Sequence, residues 1–275
     1  MSTLMTPTDY VTLPVSEADH QFSYGPDASQ FGDVFLPAQQ HQSAVALLLL
    51  HGGCWQHAFG LAPLAQLARA LTDLGVVVCN LEYRRIGGGG GWPSTFQDVL
   101  NGGAAFLALA EQFQFDPQRL VVAGHSAGGH LALWMGGRWR LATDSQIRGA
   151  HAVQPRAIVS LAGIGDLVSA LSGGICRGAP AELLGGSDAV HPDRYAQASP
   201  QALLPLTVPH WHIIGANDAL VPAPHVRQFV TNAQAAGDQA ALTEIDNAGH
   251  FEIVTATSHA WPAVKGVFSQ AVASV

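Results

Sequence analysis

Ser126 stands in Gly124-His125-Ser126-Ala127-Gly128, where an apolar run, Leu120–Ala123, gives way to a helical pattern, Gly129–Trp139. Glycines two before and two after the serine are what a turn too tight for a Cβ requires. A strand–turn–helix of this kind lifts the hydroxyl off the carboxyl edge of a sheet, the context of a nucleophile elbow. The chemistry it would serve is acyl transfer. Ser126 attacks a carbonyl carbon, and the N–H of Ala127, opening the next helix, faces the oxygen that gains charge. The competing reading is a glycine-rich packing turn with an incidental serine.

A serine hydroxyl needs a histidine to take its proton and an acid to hold that histidine in the right tautomer. The chain has 13 histidines, so position must choose among them. Asp218 ends the loop that follows the apolar run His210–Ile214, and His250 lies in the Gly-His loop after Ala240–Ile245. Each falls just past the end of a strand-like run, as Ser126 does, and the order Ser, Asp, His suits a triad built on a parallel sheet. Asp166, after the run Ala157–Leu161, is an alternative acid, whereas Asp246 is too near His250 in sequence to orient its ring. His125 and His130 flank the elbow and read as packing or solvent residues.

His51-Gly52-Gly53 follows another apolar run, Val45–Leu50, and two glycines there let backbone N–H groups approach a reacting oxygen. Gly53 and Ala127 are the favoured oxyanion donors, with Gly52 close by; one such donor is worth on the order of 3 kcal/mol in known cases. The His51 ring is expected to order this loop by bonding backbone. Cys54 follows with no motif that would activate its thiol. Trp55 either lines an acyl pocket or packs under the loop, and Cys54, Trp55, Trp92 and Phe251 are the candidate pocket residues. Arg177 offers a carboxylate partner or a solvated surface charge. No HExxH and no carboxylate–histidine cluster at ligand spacing is present, so neither a metal nor another cofactor is expected.

The elements that must position these residues alternate. Val45–Leu50, Val76–Leu81, Leu120–Ala123, Ala157–Leu161, His210–Ile214 and Ala240–Ile245 are near-continuously apolar, as strands covered on both faces should be. Leu61–Leu74, Ser94–Phe113, Gly129–Trp139 and Pro224–Ala236 carry apolar residues near helical spacing. Such alternation predicts an α/β architecture with a doubly wound, mostly parallel sheet. Phe22–Tyr24 and Gly32–Leu36 are candidates for antiparallel edge strands. Residues 162–209 are too long for an ordinary connection and suggest a small cap within a single domain, residues 1–275. Gly87–Gly91 reads as a flexible loop or as one that bends close to the pocket mouth.

Of 275 residues, 48% are hydrophobic and 12% charged, enough apolar matter for a sizeable core. The formal net charge of −8 and the lack of a basic stripe argue against nucleic acid and anionic membranes as partners. Val45–Leu50 is far short of the ~20 residues a bilayer span needs, and the N-terminal twenty residues lack the pattern of a signal peptide. The 3 cysteines, Cys54, Cys79 and Cys176, are an odd number without CxxC spacing. That points away from a disulfide framework and toward a reducing, cytoplasmic setting. Oligomeric state is not legible.

With HGGCW, GHSAGG and Glu82-Tyr83-Arg84 in place, the chain resembles the α/β-hydrolase superfamily over nearly its whole length. The resemblance is to the esterase/lipase branch holding hormone-sensitive-lipase-like esterases and kynurenine formamidases. It implies a Ser126–Asp218–His250 triad, an acyl-enzyme, no cofactor, and structural roles for Tyr83 and Arg84 in tying loops beneath the pocket. Cys54 departs from the HGGG of many lipases and esterases, which leaves open which amides donate. The substrate is a small ester or amide: a short-acyl carboxylic ester is the first expectation and an N-formyl aromatic amine the second. A ligand-binding protein on a hydrolase scaffold is the reading from another class.

Overall fold

A computed structural model describes residues 4–39, 41–149 and 153–275. Residues 1–3, part of the stretch read above as lacking a leader pattern, lie outside the described residues. The 8-stranded sheet has the order β1-β2-β4-β3-β5-β6-β7-β8. Its strands are β1 (His20–Ser23), β2 (Phe31–Phe35), β3 (Ala44–Leu50), β4 (Val77–Leu81), β5 (Phe115–His125), β6 (Ala157–Leu161), β7 (His210–Gly215) and β8 (Ala240–Ile245). β1, β2 and β4 pair antiparallel and every pairing from β4 through β8 is parallel, so the two edge candidates are the antiparallel hairpin that extends one side.

Burial explains the composition of each strand. Every residue of β3, β4 and β6 is buried, whereas the edge strand β8 is half exposed and more polar. Helices cover the faces: α1 (Pro7–Val11), α2 (Ala65–Leu71), α3 (Ser94–Ala108), α4 (Ala110–Phe113) and α5 (Ala127–Gly137). The rest are α6 (Leu167–Ser172), α7 (Ala179–Leu184), α8 (Pro192–Ala198), α9 (Ala223–Ala235) and α10 (Trp261–Ala273). The expected helix Ser94–Phe113 breaks at Leu109 into α3 and α4. α1 and α10 were not anticipated. α10 buries Val264, Val267, Phe268 and Ala271, a clear helical stripe, while α1 has only Tyr10 to bury and rests on its Thr6–Asp9 capping box.

α5 is buried on all sides, which is why its sequence, AGGHLALWMGG, shows no polar face. It is pressed so closely to the sheet that a Cβ on Gly128 would lie 2.1 Å from the Leu50 carbonyl oxygen. Residues 162–209 contain α6, α7 and α8 and lie against the loops at the carboxyl end of the sheet. The Trp92 N–H donates to the Leu183 carbonyl at 2.7 Å, and Gln56 Nε2 reaches Glu182 at 2.9 Å. The Gly87–Gly91 loop is tied rather than loose: Gly88 and Gly90 N–H bond the Arg85 carbonyl at 2.8 and 2.9 Å, and Gly91 N–H bonds Thr95 Oγ1.

Several histidines are embedded in this core. His130 on α5 is bonded through Nε2 to the Ala198 carbonyl at 3.0 Å, and burial pushes its pKa down to about 4. Burial also holds His125 and His212 well below the usual imidazole value, each helped by a neighbouring histidine. These groups stay neutral when folded but take a proton in the unfolded chain below a pH of about 6.5. The unfolded state therefore binds more protons as the pH falls, and stability drops from there downward. His130 alone contributes up to about 3 kcal/mol of this loss. The urea midpoint should fall clearly between pH 8 and pH 5; a midpoint that holds level or rises would contradict the neutral buried histidines.

Candidate functional site

The elbow joins β5 to α5. Ser126 has φ 55° and ψ −117°, a left-handed conformation that a residue with a Cβ adopts only under constraint. The constraint comes from both flanks: Ser126 N–H donates to the Leu161 carbonyl at 2.8 Å, and a Cβ on Gly124 would sit 2.2 Å from the Gly128 carbonyl oxygen. Ser126 is 4% exposed, at the head of α5, whose first N–H groups have no partner within the helix.

Two neighbouring strand ends bring Asp218 and His250 together. Nδ1 of His250 donates to Asp218 Oδ2 at 2.6 Å. The other carboxylate oxygen, Oδ1, accepts the N–H groups of Leu220 and Val221 at 2.8 and 2.9 Å. That division leaves Oδ2 aimed at one partner. Asp166, the alternative acid, is engaged elsewhere: its carboxylate caps α6 by accepting the N–H of Val168 and Ser169. Asp246 is exposed.

His125, read above as a packing or solvent residue, is buried directly against His250. Its Nε2 bonds the His250 carbonyl at 3.0 Å, and the two rings lie 4.4 Å apart, tilted by 48°. Phe251 stacks on Tyr10 of α1 at 4.7 Å, and Glu252 accepts the N–H groups of Gly249 and Met5. The N-terminal arm thus braces the histidine loop. Nothing in the sequence pattern signals that contact, which joins residues 247 apart.

The His51-Gly52-Gly53 loop faces the elbow. A Cβ on Gly52 would lie 3.0 Å from Ser126 Cβ, and Gly53 has φ 108°, open only to glycine. Beneath the loop, Glu82 Oε1 meets His51 Nε2 at 2.8 Å, Arg85 reaches the same carboxylate, and His51 Nδ1 lies 2.7 Å from the Gly52 carbonyl oxygen. Burial pushes the Glu82 carboxyl up, but His51, Arg85 and the Tyr83 N–H outweigh it and hold it below its usual value. Tyr83 donates its hydroxyl to the His51 carbonyl at 2.7 Å, and Arg84 makes a two-pronged pair with Asp98. The loop-tying expected of Tyr83 and Arg84 is there; the parts played by Glu82 and Arg85 were missed.

The cysteines require a correction. Cys54 and Cys176 form a disulfide, Cα to Cα 5.5 Å, while Cys79 is free and buried. Spacing could not show it, because the partners are 122 residues apart and only the fold brings the loop after His51 to the 162–209 segment. Such bonds persist in oxidising settings, so the cysteine argument for a reducing compartment falls. Among the described residues no helix is long and apolar enough to cross a membrane, and no group of three or more His, Cys, Asp or Glu could hold a metal ion.

The pocket candidates divide. Trp55 is 0% exposed with its ring edge-to-face against His130, so it packs under the loop and lines no open pocket. Cys54 is held in the disulfide, and the Phe251 ring is covered by Tyr10. Trp92 is half buried beside Phe96 and Arg194, and Arg177 adjoins the disulfide in a left-handed turn. The apolar side chains left open here are ones the sequence did not single out: Phe59, 45% exposed and packed against Gly53, and Leu220, 48% exposed and two residues past Asp218.

The comparisons with known proteins agree with this architecture. The profile of the BD-FAE family matches residues 32–232. Esterase LipC of Mycobacterium tuberculosis is 28% identical over 248 residues, covering 82% of this chain and 58% of that protein; the chain thus spans little more than half of that relative. Among solved structures, a truncated carbohydrate esterase from gut microbiota superposes with a TM-score of 0.80 at 21% identity, covering 94% of this chain and 97% of that one. Esterase B from Lactobacillus rhamnosis gives 0.80 at 18% identity, covering 96% and 89%. By fold this is an α/β-hydrolase, and by its family match the chain belongs to the BD-FAE family.

Proposed function

We propose that this chain is a serine hydrolase of the carboxylesterase type, cleaving small, short-acyl esters through Ser126, His250 and Asp218. The observation that carries the reading is the His250–Asp218 bond of 2.6 Å, with the aspartate otherwise saturated by backbone N–H groups, and a serine held at φ 55° next in sequence to His125, whose ring bonds the His250 carbonyl. In this mechanism Ser126 Oγ attacks the ester carbonyl while its proton passes to His250 Nε2. Asp218 stabilises the imidazolium and keeps Nδ1 protonated without taking the proton itself. The oxyanion rests on the N–H groups of Gly53 and Ala127, with Gly52 beside them. His250 then protonates the departing alcohol, and water, deprotonated by the same histidine, releases the acid and frees Ser126. Residues 162–209 act as the cap.

Esters are favoured over N-formyl aromatic amines on two grounds. The similar proteins are named as esterases. Trp55, the HGG-x-W residue that the chain shares with the formamidases, is enclosed in the core, where it cannot read a substrate. With one preparation, kcat/KM should be highest for acetyl or butyryl aryl esters, lower for the octanoyl ester, and lowest for N-formylkynurenine. A formamide preferred tenfold or more, about 1.4 kcal/mol in transition-state binding, would replace the ester reading with the arylformamidase one.

A further inference from the structure

We propose, building on the esterase reading, that Glu82 is a positioning residue: it holds His51 as an imidazolium that clamps the Gly52 carbonyl and so keeps the Gly53 N–H turned toward the reacting oxygen. In a trans peptide the C=O and the following N–H lie in one plane and point in opposite directions within it. With the Gly52 oxygen drawn to His51 Nδ1 at 2.7 Å, the Gly53 N–H must point away from His51. Flipping this peptide would exchange a donor for a carbonyl oxygen and disable the oxyanion site. Gly53, at φ 108°, has no Cβ to resist such a flip, so the orientation has to be imposed from outside.

The protonation of His51 follows from its partners. Nδ1 faces a carbonyl oxygen and Nε2 faces a carboxylate oxygen at 2.8 Å; both accept only, so both ring nitrogens must carry hydrogen. Arg85 Nη1 is 3.2 Å from the same Nε2. A neutral ring accepting from Arg85 would set two acceptors against each other at the shorter 2.8 Å contact. Glu82 is itself fixed by four further donors: Arg85, the N–H groups of Leu61 and Tyr83, and, on its carbonyl, the Tyr24 hydroxyl. The other groups facing the His51 ring are Tyr83, stacked at 4.4 Å and far from ionising at neutral pH, and His125, held neutral. A Glu82⁻–His51⁺–Arg85⁺ cluster leaves one net positive charge beneath the oxyanion loop.

The test joins a spectrum to kinetics. In the 15N–1H spectrum of the intact protein at pH 8, His51 should show two ring N–H groups, and in Glu82→Gln one. Glu82→Gln should lower kcat on a butyryl aryl ester tenfold or more with KM within about threefold, approaching the 10²–10³ seen for loss of an oxyanion donor. Ser126 should still react stoichiometrically with an aryl phosphonate. A singly protonated His51 in the wild-type protein overturns the proposal whether or not the variant folds, as does a folded Glu82→Gln enzyme with unchanged kcat. A wild-type protein that takes up no phosphonate at Ser126 sinks the esterase reading instead.

Discussion

Replacing Ser126 with alanine should abolish ester hydrolysis while leaving the fold and its melting temperature nearly unchanged. The side chain makes no cap hydrogen bond to α5, so its removal leaves the helix start as it was. The left-handed strain at this position belongs to the backbone and is the same for alanine. Loss of a triad serine costs on the order of 10⁶ in kcat in the best-studied case, leaving only what binding and the oxyanion hole supply. Initial rates on an acetyl aryl ester, read beside a thermal melt, decide the point. Near-normal turnover at unaltered melting temperature would remove Ser126 as nucleophile and return the elbow to a packing turn.

The two aspartates should separate just as sharply. Asp218→Asn keeps the shape and the bonds from Leu220 and Val221 but stabilises the wrong tautomer of His250, and kcat should fall by about 10⁴. Asp166→Asn exchanges one good helix cap for another, so activity should stay within about twofold and stability within a few tenths of a kcal/mol. Steady-state kinetics on the two purified variants give the ranking. The reverse order would move the acid from the end of β7 to the end of β6.

What was legible in the sequence follows from what each feature depends on. The inner parallel strands were visible because burial on both faces demands unbroken apolar runs, and Ala157–Leu161 matches its strand end to end; the edge strand Ala240–Ile245 also matches, although half exposed. The candidate triad could be read because each member sits at a fixed offset from such a run. The stripe Val264-Val267-Phe268-Ala271 carries helical spacing just as plain in the sequence. Other features were out of reach for physical reasons. Glu82 and Arg85 look like ordinary surface charges in a string of letters, and only the return of the chain under the His51 loop buries them. Trp55 was an open choice because HGG-x-W says nothing about which way the indole turns. The Cys54–Cys176 pairing and the bracing of His250 by Tyr10 and Met5 join distant segments, and no local pattern encodes contacts of that range.

The disulfide has a topological consequence for the proposed chemistry. It closes a covalent ring across 122 residues, worth about 5 kcal/mol of denatured-chain entropy in the loop-closure account. Inside the ring lie β4, β5, α5 and β6, and with them Ser126; the oxyanion glycines adjoin its knot. Outside lie β7, β8 and α10, carrying Asp218 and His250. The ring therefore divides the proposed machinery: the electrophile-binding half is cross-linked, whereas the proton-handling half is held by non-covalent contacts alone. Partial opening of the C-terminal third separates base from nucleophile without disturbing the knot, so the segment whose loosening ends turnover is the one the cross-link does not restrain.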